Sequence, residues 1–165
     1  MIGLYWGRFN PPHKGHLQLI KKILKEVDYL IIAIGSAEFR NTKRNPFDGN
    51  ERKIMMKAYL KEKKLPIRRI KIIPILDGKS FSSGINNLFR LCGKFDVLYT
   101  DKKTIIDLIK NKVKIKRIKR KGRISSTQIR DAIANNKSWE NLTGKSVVKI
   151  INKLNGIKRI KKSYQ

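Results

Sequence analysis

The sequence predicts an α/β fold, a doubly wound parallel sheet in a single domain, and three observations carry that expectation. Short apolar runs alternate with amphipathic stretches along the whole chain. The first apolar run opens into a loop rich in glycine and basic residues. No internal repeat and no Gly/Ser/Pro-rich linker breaks the alternation, and 165 residues suit one core. Strand and helix patterns in alternation argue for βαβ units, hence a Rossmann-like sheet covered on both faces. In such sheets ligands collect beyond the carboxyl ends of the strands, at the switch in strand order.

The elements follow in order. Residues 2–6 read as a buried strand. Leu17, Ile20, Ile23, Leu24 and Val27 fall at helical spacing, which predicts a helix over 15–27. Tyr29 to Ile34 is a short apolar run suited to a core strand, closed by Gly35-Ser36. A polar loop over 37–49 leads to a helix at 50–64, with Ile54, Met55, Ala58 and Tyr59 along one face. Ile70 to Ile75 is the third strand. Then come a helix over 84–92, a strand from Phe95 to Thr100, a helix from Thr104 to Lys112, a strand over 113–119 and a helix over 126–136. A C-terminal helical tail occupies about 138–165. Its helix at 144–155 carries Val147, Val148, Ile150, Ile151 and Leu154 and stops at Asn155-Gly156.

Composition narrows the partners. Forty Lys and Arg against 12 Asp and Glu leave a formal charge of +28, a field that attracts nucleotides or nucleic acid. The lysines run through almost every segment, which a plain compositional bias would also produce. The densest stretch is Lys112 to Arg123, where Val113 and Ile115 alternate with lysines as in a strand with one solvated basic face. No apolar run approaches the ~20 residues of a membrane span. The start, Met1 to Trp6, lacks a basic n-region and is no secretory signal, so the cytoplasm is expected. The single cysteine, Cys92, cannot build a disulfide framework and reads as a small core hydrophobe.

The most informative segment is the loop after the first strand, Gly7-Arg8-Phe9-Asn10-Pro11-Pro12-His13-Lys14-Gly15-His16. Gly7 permits a turn, and Gly15 lets backbone approach a ligand. Arg8, Lys14 and the only two histidines sit at or before a helix N-terminus, where free N–H groups and the helix dipole favour phosphate. A zinc site is the competing reading of His-x-x-His, but no acidic or cysteine ligand lies nearby in sequence. The loop lacks the GxxxxGK[ST] pattern of a P-loop. Near the other end stands Ile124-Ser125-Ser126-Thr127-Gln128-Ile129-Arg130. Ser125 and Gln128 have capping-box spacing, so a helix starts there, and the hydroxyls with Arg130 suit a second anion site.

These residues carry a resemblance. His13-Lys14-Gly15-His16 matches the H-x-G-H signature of the nucleotidylyltransferase superfamily, and Gly7-Arg8-Phe9 resembles the run before it. Ile124 to Arg130 resembles the I-S-x-T-x-I-R signature of the same superfamily. The resemblance implies ATP as substrate, bound by Gly7, Arg8, Phe9, His13, Gly15, His16, Ile124, Ser125, Ser126, Thr127 and Arg130. It implies catalysis by His13, His16, Arg8 and Arg130, which stabilise phosphate charge during in-line attack without a covalent enzyme intermediate. Mg2+ would bridge the phosphates, with no metal ligand from the protein.

The similarity reaches one branch, the archaeal-type nicotinamide-nucleotide adenylyltransferases. Ile34-Gly35-Ser36-Ala37, Asn45-Pro46-Phe47, Glu51-Arg52, Trp139 to Leu142 and Asn155 to Ile160 resemble its recurring stretches. The implied reaction moves AMP from ATP to nicotinamide mononucleotide, giving NAD and pyrophosphate. Arg44 takes the place of an arginine that approaches the mononucleotide, and these enzymes commonly form multimers, often hexamers. Asn10 and Pro12 depart from the usual Gln and Phe. The branch usually carries an Asn and a Trp in the stretch matched by Asp77 to Gly84, the Trp stacking near the nicotinamide ring. Here Phe81 is the only aromatic there and is expected to substitute; Trp6 in the first strand and Trp139 in the tail are not obvious replacements. The alternatives are a sister adenylyl- or cytidylyltransferase for a flavin, pantetheine or alcohol phosphate, and a non-catalytic nucleic-acid-binding protein motivated by the charge.

Overall fold

The apolar runs line up side by side because each can bury both of its faces only between two layers of helices, and a basic strand, exposed on one face, closes one edge. β1 (Ile2–Gly7), β2 (Tyr29–Ile34), β3 (Ile70–Pro74), β4 (Val97–Thr100) and β5 (Lys114–Arg117) form one parallel sheet, in the order β3-β2-β1-β4-β5. Around it lie α1 (Lys14–Ile23), α2 (Gly49–Glu62), α3 (Phe81–Cys92), α4 (Lys103–Ile109), α5 (Ser126–Ala134), α6 (Lys145–Lys153) and α7 (Gly156–Lys162). The structure, a computed structural model, describes residues 1–100, 102–118, 122 and 124–165, with Phe81 described in its backbone alone.

The period-two alternation of the strands sorts the core into two layers. Leu4, Ile31, Ala33 and Leu98 face Ile85 and Leu88 of α3 and Ile105 and Ile109 of α4. Tyr5, Ile32, Ile34 and Tyr99 face the other way, toward Ile20 of α1, Met55 and Tyr59 of α2, Ile129 of α5, Ile151 of α6 and Ile160 of α7. Register follows: Leu4 lies beside Ile31 on one side and Leu98 on the other. Strand order runs outward in both directions from the β1–β4 seam, so the loops after β1, β2 and β4 open onto one edge of the sheet.

Several boundaries differ from those expected, each for a local reason. α1 ends at Ile23, and residues 24–26 wind as a turn that still buries Val27. α3 begins at Phe81, earlier than its apolar pattern, because Ser80 caps it by accepting from the Ser83 N–H at 3.1 Å. β5 is shorter than expected: Val113 and Ile115 pack on the core while Lys114 and Lys116 are exposed. Lys119 of that expected strand lies outside the described residues, as do Arg120, Lys121 and Arg123 of the basic run. α6 does stop at Asn155, in the left-handed conformation at φ 52°, but the chain re-enters a helix at once. A Cβ on Gly156 would lie 2.7 Å from the Phe47 ring and 2.8 Å from the Ile151 carbonyl, so only glycine lets α7 fold back there. The same residue that marks one helix end also admits the next.

The tail is clamped to α2. Glu62 accepts from the Ser146 N–H at 2.8 Å and its hydroxyl at 2.6 Å, capping α6 from outside. A Cβ on Gly144 would strike the Tyr59 ring and sit 2.8 Å from the Glu62 carboxylate. Burial pushes the Glu62 carboxyl up, but the Lys63 ammonium and the two Ser146 donors outweigh it and hold it at about 2.

Two outcomes are expected. Gly144→Ala should lower unfolding free energy by about 1–3 kcal/mol, measured by urea denaturation, since neither ring nor carboxylate can yield without losing packing. Glu62 titrates lower in the folded protein than its ordinary 4.5, so its stabilisation is present above that value and is lost as pH falls toward 2. The stability gap between wild type and Glu62→Gln should therefore narrow as pH drops through that window.

Candidate active site

The β1–α1 loop is shaped from within. His13 occupies the N-cap of α1 in extended backbone, and its Nδ1 accepts from the Gly15 N–H at 3.1 Å. His16 returns the favour, its Nδ1 accepting from the His13 N–H at 3.2 Å. An Nδ1 that accepts carries no proton, so in both neutral rings the proton sits on Nε2. The rings stack with centroids 3.6 Å apart, and the Phe9 ring meets His16 edge-on at 4.8 Å. Phe9 itself is buried, standing in the space that Gly7 leaves open: a Cβ on Gly7 would lie 2.8 Å from the Phe9 ring. Gly15 makes room in the same way, for the His13 ring at 3.0 Å and the Ile124 carbonyl at 3.5 Å. Both glycines thus serve internal packing in addition to any ligand approach.

The second motif grips this loop. Ser126 Oγ donates to the Pro11 carbonyl at 2.8 Å, and Arg130 Nη1 donates to the Asn10 carbonyl at 2.8 Å. Arg130 Nη2 donates to Thr127 Oγ1 at 3.2 Å, while its buried Nε has no hydrogen-bond partner among the described residues. Ser125 caps α5 by accepting from the Gln128 N–H at 3.1 Å; the return bond from Gln128 expected of a capping box is not among those the structure shows. From the tail, Thr143 Oγ1 adds a bond to the Pro12 carbonyl at 2.7 Å.

Several organising residues drew no functional reading from the sequence. Arg52 is fully buried and fans four bonds into the loop backbones: Nε to the Asp48 carbonyl at 3.0 Å, Nη1 to the Arg8 and Gly35 carbonyls at 2.6 and 2.8 Å, and Nη2 to the Ser36 carbonyl at 2.8 Å. Burial pulls its pKa down to about 10, so it stays charged at neutral pH. Asp77 ties β3 to β2 by accepting from the Ser36 N–H at 2.8 Å and hydroxyl at 2.6 Å. Asn10, a departure from the family pattern, exchanges bonds with the Phe47 backbone, donating to its carbonyl at 2.8 Å and accepting from its N–H at 3.3 Å. Arg159 of α7 grips Glu51 in a bidentate pair at 2.8 and 2.9 Å and donates to the Pro46 carbonyl at 2.5 Å and Asn41 Oδ1 at 2.9 Å. The motif at 45–52 hinted at Arg52 and Glu51. Nothing local pointed to their partners.

Two adjoining hollows open at the carboxyl edge of the sheet, sharing Trp6, Gly7, Arg8 and Lys102 as a common wall. The smaller, about 170 Å³, is lined by Phe9, His16, Ser125, Ser126, Thr127 and Arg130. The larger, about 680 Å³, is lined by Ser36, Phe39, Arg44, Asn45, Asp77 and Lys79, among others. His13 is fully buried and lines neither. Burial lowers the Arg8 pKa, and the like charges of Arg44 and Arg130 lower it further, which marks the shared wall as a place that an anion would relieve. Arg44, expected at the acceptor, is exposed and lines the larger hollow. The side chain of Phe81 lies outside the described residues, so its expected part has no geometry here. Trp6, read from the sequence as a strand residue and no obvious replacement for the missing tryptophan, stands where its strand ends at the hollows and lines both.

Arg52→Lys keeps the charge but places one ammonium where a fork makes four bonds. It is expected to cost about 2–4 kcal/mol in urea unfolding, through carbonyls left without donors.

The sequence and the architecture have known counterparts. A family model described as cytidylyltransferase-like matches residues 4–132. A protein from Pyrobaculum arsenaticum named nicotinamide-nucleotide adenylyltransferase is 39% identical over 163 residues, spanning 96% of this chain and 92% of its own. One of the same name from Thermococcus sibiricus is 35% identical, spanning 98% of this chain and 88% of its own. A crystal structure of a bifunctional NMN adenylyltransferase/ADP ribose pyrophosphatase from Francisella tularensis, complexed with AMP and a manganese ion, covers 98% of this chain at a TM-score of 0.80. At 19% identity that likeness shows the fold, and this chain spans 51% of the Francisella one. No helix among the described residues is long and apolar enough to cross a membrane. Matched over most of its length by the family model and at more than 30% identity by near-full-length relatives, the chain belongs to the cytidylyltransferase-like family of nucleotidyltransferases.

Proposed function

We propose that the protein transfers AMP from ATP to nicotinamide mononucleotide, forming NAD and releasing pyrophosphate. The observation that carries this reading is the pairing of hollows: His16, Ser125, Ser126, Thr127 and Arg130 line a small one, beside a larger one with Arg44, across a wall bearing Arg8. Relatives along the full length carry the name of that activity.

In this reading the triphosphate lies in the smaller hollow, with His16 Nε2–H, the Arg8 guanidinium and Arg130 as donors and His13 holding His16 in place. The acceptor's phosphate lies between Arg8 and Arg44. An acceptor phosphate oxygen attacks the α-phosphorus, the bond to the bridging oxygen breaks, and pyrophosphate leaves. Catalysis then consists of positioning two anionic substrates and neutralising charge, with no protein nucleophile. No group of three His, Cys, Asp or Glu suited to a metal occurs among the described residues, and the donors lining the small hollow are cationic or neutral. That set fits Mg2+ arriving with the triphosphate, where the metal would supply further neutralisation of phosphate charge beside Arg8, His16 and Arg130.

Purified protein with ATP, Mg2+ and nicotinamide mononucleotide should produce NAD, followed with a coupled dehydrogenase. His16→Ala loses a cap bond worth about 1 kcal/mol, so it should stay folded while turnover falls about 100-fold or more. Pyrophosphate release with a flavin, pantetheine or alcohol phosphate but not with the mononucleotide would replace the acceptor and keep the chemistry. Salt-sensitive RNA or DNA binding with no pyrophosphate from any acceptor would overturn the enzyme reading.

A further inference from the structure

We infer that the indole of Trp6, seated on Gly35, is the aromatic wall against which the acceptor's ring stacks in the larger hollow; this rests on the mononucleotide reading above. The placement begins with strand geometry. Trp6 shares with Leu4 the face of β1 that looks toward α3 and α4, and it packs partly on that apolar layer. It is the penultimate residue of β1, at the carboxyl edge of the sheet, and sits beside Ala33 of β2 in the parallel pairing.

What holds the indole there is an absence of bulk. A Cβ on Gly35 would lie 2.8 Å from the Trp6 Nε1 and 3.6 Å from its Cδ1 and Cε2. The pyrrole edge therefore rests against the backbone just beyond β2, a position that any larger residue at 35 would deny it. The side chain is half-buried, and what stays uncovered lines the hollow. A rigid aromatic on a strand makes a stacking surface at low entropic cost. Phe39, which also lines the hollow, is 44% exposed on the loop after β2 and is the less constrained surface. Trp139, the second tryptophan, is buried in the opposite layer.

The chemistry of the hollow selects the ring. Its cations, Arg8, Arg44, Lys79 and Lys102, suit a phosphate but repel a positively charged pyridinium. An indole face is the π surface that best attracts such a cation, so Trp6 compensates the ring's charge, while the carboxylate in the lining, Asp77, already accepts from the Ser36 N–H and hydroxyl. A base stacked on an aromatic loses about tenfold in affinity or more when the aromatic is removed.

Steady-state kinetics test this directly. Trp6→Leu should raise KM for nicotinamide mononucleotide about tenfold or more, with a much smaller change in KM for ATP, and Trp6→Phe should recover part of the loss. Equal rises in both KM values, or an unchanged acceptor KM in a wild type that makes NAD, would overturn the inference alone. In Trp139→Phe protein, Trp6 is the only indole, and the mononucleotide without ATP should quench its emission saturably. Emission untouched at concentrations that saturate turnover would overturn the inference without any change at Trp6. A wild type that makes no NAD from the mononucleotide overturns the acceptor reading and this inference with it.

Discussion

A fully buried guanidinium, that of Arg52, is the constraint through which the rest of the site is arranged. The loops after β1 and β2 leave the sheet with carbonyl oxygens that no strand or helix can satisfy, and unpaired buried carbonyls are costly. Arg52 reaches from the first turn of α2 to the carbonyls of Arg8, Gly35 and Ser36. The planar fork serves several acceptors at once in directions that an ammonium could not reproduce. Its burial also forces the loop backbones to lie close together, which is why Arg8, Gly7 and Trp6 can wall two hollows at once.

Around that centre, each loop is held by an element distant in sequence. The β1–α1 loop presents its Asn10, Pro11 and Pro12 carbonyls to Arg130, Ser126 and Thr143. The loop between β2 and α2 is held on one side by Asn10 and on the other by Arg159, whose guanidinium also lies over the Phe47 ring at 5.1 Å. Burial pushes the Glu51 carboxyl up, but Arg159 and the Asp48 N–H outweigh it, so Glu51 stays ionised as the anchor of that clamp. The C-terminal helices are thus part of the frame of the larger hollow. The motif residues expected as phosphate donors also hold the fold: Ser126 and Arg130 bond loop backbone, and His13 and His16 cap a helix.

Much of the fold was legible because it follows from periodicity. The β2 run, Tyr29 to Ile34, is bounded as its apolar stretch predicts, and α1 buries Leu17, Ile20 and Ile23 as the spacing selects. On α2 the expected face is corrected: Ile54 is 60% exposed and Ala58 only partly buried, because the side that packs runs through Arg52, Met55, Met56, Tyr59 and Leu60. The misreadings share a cause. Ser80 and Gly84 suggest a loop when seen alone, yet Ser80 is a cap and Gly84 sits where a Cβ would press on the Asp77 carbonyl at 3.1 Å. Gly156 reads as a stop because nothing local reveals that Phe47 and Ile151 crowd the space a side chain would need.

For the site, the local signatures at Gly7–His16 and Ile124–Arg130 contain Gly7, Arg8, Phe9, His16, Ser125, Ser126, Thr127 and Arg130, which line the smaller hollow. They do not contain Thr100, Lys102 or Ile118, which join it from β4 and beyond, and their His13, Gly15 and Ile124 do not line it. Those runs, with the strand and helix periods, are what the sequence by itself determined. The larger hollow drew Arg44, Gly35, Ser36 and Asn45 from stretches legible in the sequence, but tertiary structure decided how they meet. Arg52 meets its carbonyls 44, 17 and 16 residues away, and Trp6 meets Gly35 only because β1 and β2 pair in parallel, Gly7 opposite Ile34. A residue's own neighbours in sequence carry no record of which backbone will pass within 3 Å of it; the sheet register and the helix packing set that distance.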